Sequence, residues 1–462
     1  MKLTATYITF FICAALCASC NAQTNPGKAG AENSMSPAER SFLDTLQKRT
    51  FDYFWYESGS ENGLVKDRSQ EGSPASMAAT GFGIAAWAVG AEHGWISRAE
   101  AAERTLRLLR FLINSPQGTE PDATGYKGFY YHFINMTTGK RAWHCELSTI
   151  DTAWLLAGVR FAVQYFNRDT NAENEIRQLA EKITGRVDWN WSVLRDGRYK
   201  GYITLGWTPE EGFHELGWFG YNEALMLQII AAGSGIKDPL DVYGKWLSSY
   251  NWVEPYKGLE HFGFPPLFGH QYSHMFIDFR GLADSRLAAR GIDYFENSRR
   301  ASLAQIKYAV ENPMRWKGYD SLCWGLTACD GPGDSYNHDS LRFLGYAARG
   351  TSGSGLVHDD DGTIAPAAAG GSIVFIPQEV IKTLKNMYDK YGPGGLWGRY
   401  GFTDAFNPTL NWYDKDYLGI DQGPILLMIE NLRSGMIWKY MKNDEVVKTG
   451  LEKLGFIKTN TK

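Results

Sequence analysis

Clustered basic charge is missing from this chain of 462 residues. It carries 47 Lys and Arg against 51 Asp and Glu, for a net charge of −4. Because binding to nucleic acid phosphates needs clustered cations, we expect no nucleic acid partner. A polyanionic substrate is disfavoured for the same reason, unless a local cluster of cations binds it.

Cysteine is scarce as well. Six occur, and three of them fall within the first 20 residues. The others are Cys145, Cys323 and Cys329, an odd number that allows one internal disulfide at most, with Cys323/Cys329 as a guess. The sequence therefore excludes a disulfide scaffold and a zinc framework.

Three well-known motifs are absent. No Gly-x-Ser-x-Gly turn is present to support a nucleophilic serine. No Gly-x-Gly-x-x-Gly follows a strand, and the Gly- and Ser-rich run at 351–355 lacks the Gly-Lys ending of a phosphate loop. We therefore expect no organic cofactor and no metal.

Long hydrophobic runs are limited to residues 7–18, which are too few to span a membrane as a mature helix. Lys2 precedes this run and small residues follow it, as in a secretory signal peptide. We expect a signal peptide at 1–20 of the lipoprotein type, with Cys20 acylated. Ordinary cleavage after Ala22 is the alternative.

The expected location follows from this segment. The protein would be exported to the periplasm or outer membrane of a Gram-negative bacterium, touching the membrane only through a lipid anchor. Residues 21–35 are rich in Asn, Gly, Ala and Ser and indicate a flexible tether. Residues 36–462 would form one domain, which we expect to be a monomer.

Helical periodicity dominates that domain. Apolar residues recur near every 3.6 positions in many segments, and strand signals are confined to 128–134, 199–205 and 373–376. No βαβ alternation is visible, so the pattern indicates an all-α protein, either a solenoid or a closed double ring of helices. The absence of a short repeat weakens the solenoid. The predicted helices are 77–90, 97–114, 147–166, 171–187, 219–232, 240–249, 298–311, 377–391 and 422–440, after a first helix capped by Ser36 and Glu39.

Aromatic residues make up 14% of the chain, and many stand beside Gly, Asn, Asp or His. A large core would explain them, but such rings also stack on sugars in a carbohydrate groove. The segment 207–223 combines both features of a glycosidase, aromatic rings and paired carboxylates. It contains Glu210, Glu211, Glu215 and Glu223 among Trp207, Phe213, Trp218, Phe219 and Tyr221.

The four glutamates of this segment have different expected surroundings. Glu210 and Glu211 follow a proline in a turn, where exposure is the default. Glu215 lies beside an apolar run, so partial burial is expected and would raise its pKa. Glu223 begins the helix 219–232, where it could merely complement the helix dipole.

A second acidic pair lies at the start of the helix 147–166. Asp151 falls in the first turn and Glu146 in the loop before it. Ser148 and Asp151 also fit a capping box, which would give Asp151 a structural role. Catalysis and capping both remain open from the spacing alone.

Two further groups are candidates for contacts with hydroxyl groups. On one helix, His270, His274 and Asp278 would share a face, which fits a metal site or a polar sugar site. Trp324 and Asp330 suit stacking and hydroxyl binding, although Asp330 also fits a Gly-Pro turn.

Together these segments resemble glycoside hydrolase family 144, the bacterial glycoamylase-like proteins, from about residue 40 to about residue 440. The matching stretches are Glu146-Leu-Ser-Thr-Ile-Asp-Thr-Ala, Gly220-Tyr-Asn-Glu-Ala, Gly269-His-Gln-Tyr-Ser-His, Ile277-Asp-Phe-Arg-Gly, Glu296-Asn-Ser-Arg, Trp324-Gly-Leu-Thr-Ala, Asp361-Gly-Thr-Ile-Ala-Pro, Gly398-Arg-Tyr-Gly-Phe, Asp404-Ala-Phe-Asn-Pro and Gly419-Ile-Asp-Gln-Gly-Pro.

The resemblance implies an (α/α)6 toroid whose cleft lies where the inner helices begin. It implies hydrolysis of β-1,2-glucan, mostly endo-acting and inverting. The best catalytic candidates become the helix start with Glu146 and Asp151, and Glu223, above all Asp151 and Glu223. Glu211 and Glu215 are secondary candidates. Substrate-binding candidates are Trp207, Trp218, Tyr221, His270, His274, Arg280, Trp324 and Asp330.

Three alternative functions remain open. The first is an exo-acting enzyme that releases sophorose, and the second is a glucoamylase-like hydrolase of α-glucan. The third belongs to another class, a glycan-binding lipoprotein without catalysis. In each case the expected partner is a glucan oligo- or polysaccharide.

Overall fold

The computed structural model describes residues 35–336 and 341–459. The predicted signal peptide with Cys20, and the tether up to residue 34, lie outside these residues and stay predictions. Within the described part, no helix combines the length and the apolarity needed to cross a membrane.

Helices contain most of the residues that lie in ordered elements, and their bounds follow in chain order. They are α1 (Pro37–Tyr56), α2 (Met77–Glu92), α3 (Arg98–Asn114), α4 (Thr149–Tyr165), α5 (Asn171–Gly185), α6 (Leu225–Gly233), α7 (Pro239–Ser248), α8 (Phe268–Phe276), α9 (Ser285–Ala288), α10 (Tyr294–Glu311), α11 (Pro366–Gly370), α12 (Pro377–Tyr391), α13 (Gly419–Arg433), α14 (Met436–Met441) and α15 (Glu445–Lys453).

Helices α2, α4, α6, α8, α11 and α13 form an inner ring. They are apolar and buried on nearly all faces, as a helix surrounded by others must be. Helix α13 packs on α2, α2 on α4, and α4 on α6. The ring closes through α8, where Tyr272 donates to the carbonyl of Ile420 in α13 and Gln271 to that of Ala368 in α11.

Helices α1, α3, α5, α7, α10 and α12 alternate with these in sequence and form an outer layer. They bury one face only, as in α12, where Val380, Ile381, Leu384 and Met387 are buried while the opposite side is open. The predicted all-α double ring is therefore confirmed. The solenoid does not apply, because α13 returns to contact α2.

Two glycines set the spacing of α2 and α4. A Cβ atom added to Gly81 would lie 2.3 Å from the carbonyl oxygen of Trp154, and one added to Gly158 would lie 2.1 Å from that of Gly81. Any larger side chain would push the helices apart. This close contact fixes how the starts of the two helices face each other.

The strands are short and lie in the loops. They are β1 (Ala75–Ser76), β2 (Gly125–Tyr126), β3 (Phe129–Tyr131), β4 (Phe133–Ile134), β5 (Leu147–Ser148), β6 (Gly206–Thr208), β7 (Gly212–Phe213), β8 (Trp252–Val253), β9 (His261–Phe262), β10 (Leu282–Ala283), β11 (Ala328–Cys329), β12 (Ser335–Tyr336), β13 (Arg342–Phe343), β14 (Ala347–Ala348), β15 (Gly350–Thr351), β16 (Val357–His358), β17 (Trp397–Gly398), β18 (Gly401–Phe402), β19 (Phe406–Asn407), β20 (Trp412–Tyr413) and β21 (Ile457–Lys458).

One antiparallel sheet matters for the site. Its strand order is β2-β3-β5-β6-β7, with Tyr131 opposite Leu147 and Leu147 opposite Trp207. Strand β5 leads directly into α4. The sheet therefore fixes Glu146, just before β5, against the segment that begins at Trp207.

Several sequence predictions are corrected. The predicted helix 219–232 begins only at Leu225, so Glu223 lies in the turn before it. The predicted strands 199–205 and 373–376 are not strands, while four helices, α8, α9, α11 and α15, were missing from the predicted set. Cys323 and Cys329 are free thiols, so the guessed disulfide does not form.

Candidate active site

A cavity of about 570 Å³ opens where inner helices begin. Ser76 contributes from the start of α2, and Leu418 and Ile420 from the start of α13. This is the end of the ring that the resemblance predicts. The remaining lining residues are Asp67, Arg68, Gln70, Glu71, Gly72, Ser73, His132, Phe133, Trp143 and Tyr346.

His132, which lines the cavity, lies between two acidic side chains. Its Nδ1 atom lies 2.9 Å from Glu146 Oε1, and its Nε2 atom lies 3.6 Å from Asp151 Oδ1. Burial opposes a positive charge here, but the charge of Asp151 and the hydrogen bond to Glu146 outweigh it and raise the pKa of His132 to about 9. His132 is therefore an imidazolium at neutral pH.

Asp151 lies beneath His132 in the first turn of α4 and is buried. Ser148 Oγ donates to its Oδ2 at 2.6 Å and accepts from its backbone N–H at 3.1 Å. Burial raises the pKa of Asp151 above its usual range, and the charge of His132 offsets only part of this shift. The capping role seen in the sequence is real, and the same carboxyl also faces the charged histidine.

Glu223 is half-buried, and its Oε2 atom is buried without a hydrogen-bond partner in the described residues. Burial raises its pKa to about 7, and the negative charge of Asp151 adds to the shift. A carboxyl with this pKa is about half protonated at pH 7, whereas an ordinary glutamate is almost fully ionised there. Its free oxygen and its proton are the two properties that a general acid needs.

Glu146 differs from these two carboxyls. Burial opposes its ionisation, but the hydrogen bond and charge of His132 outweigh this and lower its pKa. A Cβ atom on Gly206 would lie 2.8 Å from Glu146 Cγ, so the neighbouring strand leaves space for this side chain. Glu146 is an ionised partner of His132 rather than a proton donor.

A second group of acidic side chains surrounds Arg68, which lines the same cavity. Its guanidinium lies 2.8 Å from Asp330 and 3.7 Å from Asp416. Burial opposes its charge, but the charges of Asp330 and Asp67 outweigh burial and raise its pKa. Carboxylate oxygens of Asp330, Asp414 and Asp416 lie within 4.8 Å of one another. Arg68 supplies the positive charge at this group.

Asp404 and Asp421 form a buried carboxyl pair beside that group. Asp404 accepts a hydrogen bond from the backbone of Asp330 at 2.7 Å. Burial raises the pKa of Asp404 well above its usual range, and the charge of Asp421 adds to this. Burial likewise raises the pKa of Asp421 to about 7. Two neighbouring buried carboxyls do not both ionise readily, because their negative charges repel each other. The pair of Asp404 and Asp421 therefore carries fewer than two negative charges near neutral pH.

The predicted sugar-binding residues divide into two sets. Asp330 joins the Arg68 group, and Trp218 donates from Nε1 to Thr149 Oγ1, at the start of α4, at 2.9 Å. Trp207 is half-buried in the sheet, against Tyr126 and Trp191. These three residues lie on elements that border the site.

The residues of the second set are buried and are not among those that line the cavity, which corrects those predictions. Trp324 is 1% exposed and donates to Thr383 Oγ1 in the core, so no sugar reaches its ring. Tyr221, His270 and His274 are also buried, with His270 packed on Tyr221 and His274 bonded to Ser298.

Two more candidates are displaced by the fold. Arg280 follows the C-terminal end of α8, about 13 Å along the helix from the end where the cavity lies. There it pairs with Asp278, which α8 does not include, so the shared face of His270, His274 and Asp278 does not exist. Glu215 is exposed, so the expected partial burial is wrong.

Sequence reasoning missed several residues of the site. Asp404 and Asp421 lie inside two of the stretches that carry the resemblance, so a signal for them was present. Trp143 and Tyr346, which are 65% and 61% exposed, carried none because isolated aromatics are common. His132 carried none either, since its partners follow it at a distance in the sequence.

Comparisons with known proteins fit this geometry. The Glycoamylase family model, described as "putative glucoamylase", matches residues 215–445. An exo β-1,2-glucooligosaccharide sophorohydrolase (non-reducing end) from Parabacteroides distasonis is 28% identical over 94% of this chain. The chain spans 61% of the length of that relative.

Solved structures of related proteins share the fold of this chain. A protein from Bacteroides uniformis, also described as a "putative glucoamylase", is 33% identical to this chain, with a TM-score of 0.78. The match covers 92% of this chain and 99% of that protein. The endo-β-1,2-glucanase of Chitinophaga pinensis, solved with sophorotriose and glucose, is 29% identical to this chain, with a TM-score of 0.77. The match covers 92% of this chain and 99% of that enzyme. With half of its length matched by the family model and the fold shared throughout, the chain belongs to the glycoamylase family, of the family 144 type that its motifs resemble.

Proposed function

We propose that the protein is a glycoside hydrolase that cleaves β-1,2-glucan, endo-acting and inverting. The observation that carries the proposal is the combination of two carboxyls in different surroundings. Burial raises the pKa of Glu223 to about 7 and leaves its Oε2 atom without a hydrogen-bond partner in the described residues, whereas Asp151 lies 3.6 Å from His132, whose positive charge opposes the effect of burial. Two carboxyls in different environments are the pattern from which acid and base roles are assigned.

Glu223 and Asp151 act as acid and base in the proposed reaction. Glu223 donates its proton to the glycosidic oxygen, and the bond from that oxygen to C1 breaks. A water molecule attacks C1 from the opposite face, and its proton passes to Asp151, directly or through a relay. Inversion requires the two carboxyls roughly 6.5–9.5 Å apart, which leaves room for this water.

The substrate and the cleavage mode draw support from the relatives and from the cavity. The named Chitinophaga and Parabacteroides enzymes both act on β-1,2-glucan or its oligosaccharides. Trp143 and Tyr346 line the cavity with more than half of each residue exposed, so the described residues leave this wall uncovered. An uncovered cleft admits the interior of a chain, as endo-cleavage requires.

The product profile tests linkage and mode together. We expect wild type to convert β-1,2-glucan into a ladder of oligosaccharides at early times, as resolved by chromatography, and to leave β-1,3- and α-1,4-glucan intact. Release of sophorose alone from the first time points would instead establish the exo mode. Turnover of α-1,4-glucan would support a glucoamylase, and tight binding without any turnover a glycan-binding protein.

We also propose that the protein is a monomeric lipoprotein acylated at Cys20 and located in the periplasm or outer membrane. The support is the apolar run at 7–18 followed by Cys20. Labelled palmitate fed to expressing cells should be incorporated into wild type and not into a Cys20→Ala variant. Equal labelling of the two proteins would refute the anchor.

A further inference from the structure

An exposed tryptophan stands on the wall of the cavity, in the short loop 142–145. Trp143 is 65% exposed, and its ring is tilted against that of Phe133, at 5.1 Å between centroids. A single exposed ring is ordinary on a convex surface. Its position on a concave wall, beside catalytic carboxyls, is that of a ligand contact.

The backbone of this loop is strained. Trp143 has a φ of 56° and His144 a φ of 53°, so two consecutive non-glycine residues adopt the left-handed conformation. This conformation brings the Cβ atom too close to the following carbonyl oxygen, so it is unfavourable for a residue other than glycine. Strain of this kind persists where surrounding contacts impose it, and it concentrates at functional sites.

Arg141 supplies those contacts. Its side chain is 1% exposed, and it donates from Nε to the carbonyl of Cys145 and from Nη2 to that of His144, both at 2.6 Å. Its Nη1 atom donates to both carboxylate oxygens of Glu210, at 2.8 and 3.0 Å. One guanidinium thus ties the ends of the loop to each other and to the β6–β7 turn.

We propose that Trp143 binds the apolar face of a glucosyl unit next to the scissile bond, and that Arg141, held by Glu210, is the positioning residue that presents it. The proposal rests on the proposed function and names one sugar-binding position within it. A β-linked pyranose exposes C–H bonds on its faces, which match an open indole. The loop ends at Glu146, the partner of His132, so it adjoins the proposed catalytic group.

The first test measures binding without turnover. In a Glu223→Gln background, Trp143→Ala should weaken the affinity for β-1,2-linked gluco-oligosaccharides, measured by calorimetry, about 10- to 100-fold. In the active enzyme it should raise KM while kcat changes far less. The matched control is Tyr56→Ala, an aromatic residue of similar exposure that does not line the cavity.

The second test addresses positioning. Glu210 is exposed enough that Glu210→Gln should fold normally while loosening Arg141. It should raise KM several-fold when Trp143 is present and have no further effect in a Trp143→Ala background. Non-additivity is expected because both changes act on one contact.

The outcomes separate this inference from the proposed function. Turnover of β-1,2-glucan by wild type together with unchanged affinity in Trp143→Ala overturns the stacking role and leaves the hydrolase intact. Additive effects of the two substitutions overturn the positioning role of Arg141. Failure of wild type to bind or cleave β-1,2-glucan overturns both proposals.

Discussion

Replacing Glu223 by glutamine is expected to lower kcat on β-1,2-glucan about 10²- to 10⁴-fold, the range for loss of a general acid. The amide keeps the shape of the side chain but carries no acidic proton for the leaving oxygen. In wild type, activity should fall about tenfold per pH unit above pH 7, because the pKa of Glu223 is about 7. Initial rates from a reducing-sugar assay across pH measure both effects.

The same substitution should stabilise the protein at high pH. The pKa of Glu223 is about 7 in the folded protein and 4.5 in its ordinary range. The proton bound in the folded state therefore stabilises it fully below about pH 4.5, and this stabilisation is lost as pH rises through 7. The shift corresponds to about 3 kcal/mol.

Denaturant unfolding measures that gain. The free energy of unfolding of the Glu223→Gln variant, relative to wild type, should rise by about 3 kcal/mol between ~pH 4 and ~pH 9. Glu215→Gln is the control, since Glu215 belongs to the same segment but is exposed. Retained activity in Glu223→Gln, or a pH-independent difference in stability, would contradict the assignment of Glu223 as the buried acid.

Replacing Asp151 by asparagine is expected to remove activity to a similar extent, about 10²- to 10⁴-fold. The loss has a second cause besides the missing base, because His132 keeps its high pKa partly through the charge of Asp151. The pKa of His132 should therefore fall in the variant. An NMR titration of the histidine ring protons measures this fall directly.

A matched control separates catalysis from the loss of a carboxylate at the start of a helix. Asp241 is exposed in the first turn of α7, so Asp241→Asn changes the same residue type at the same helix position. Oligosaccharide affinity should survive in Asp151→Asn, since the carboxyl lies beneath the lining residues. If both asparagine variants turn over substrate like wild type, Asp151 has only its capping role.

The sequence could predict the helices, because they depend on local pattern. It named Asp151 and Glu223 only through the family resemblance, and their catalytic roles stay predictions. Periodicity marks α2 and α4, and the stretches around Asp151 and Glu223 carry the family resemblance. The spacing of residues could not decide which glutamate of the segment 207–223 is the best catalytic candidate. Their ranking depends on burial, which non-local packing decides: Glu215 is exposed and Glu223 is not.

The errors have the same origin. Trp324 stands between residues typical of a sugar site, yet α11 and α12 enclose it with Thr383. Arg280 and His270 share one stretch of sequence, but α8 carries them toward opposite ends of the ring. His132 gains its charge from residues that only strand pairing brings near it.

The common orientation of the inner helices has an electrostatic consequence. Each helix N-terminus carries roughly half a positive elementary charge from its aligned peptide dipoles. Asp151 and Asp421 lie in the first turns of α4 and α13, within reach of that charge. Unlike His132, peptide dipoles do not titrate. The wall that holds these acidic side chains therefore keeps part of its positive potential at every pH at which the ring stays folded.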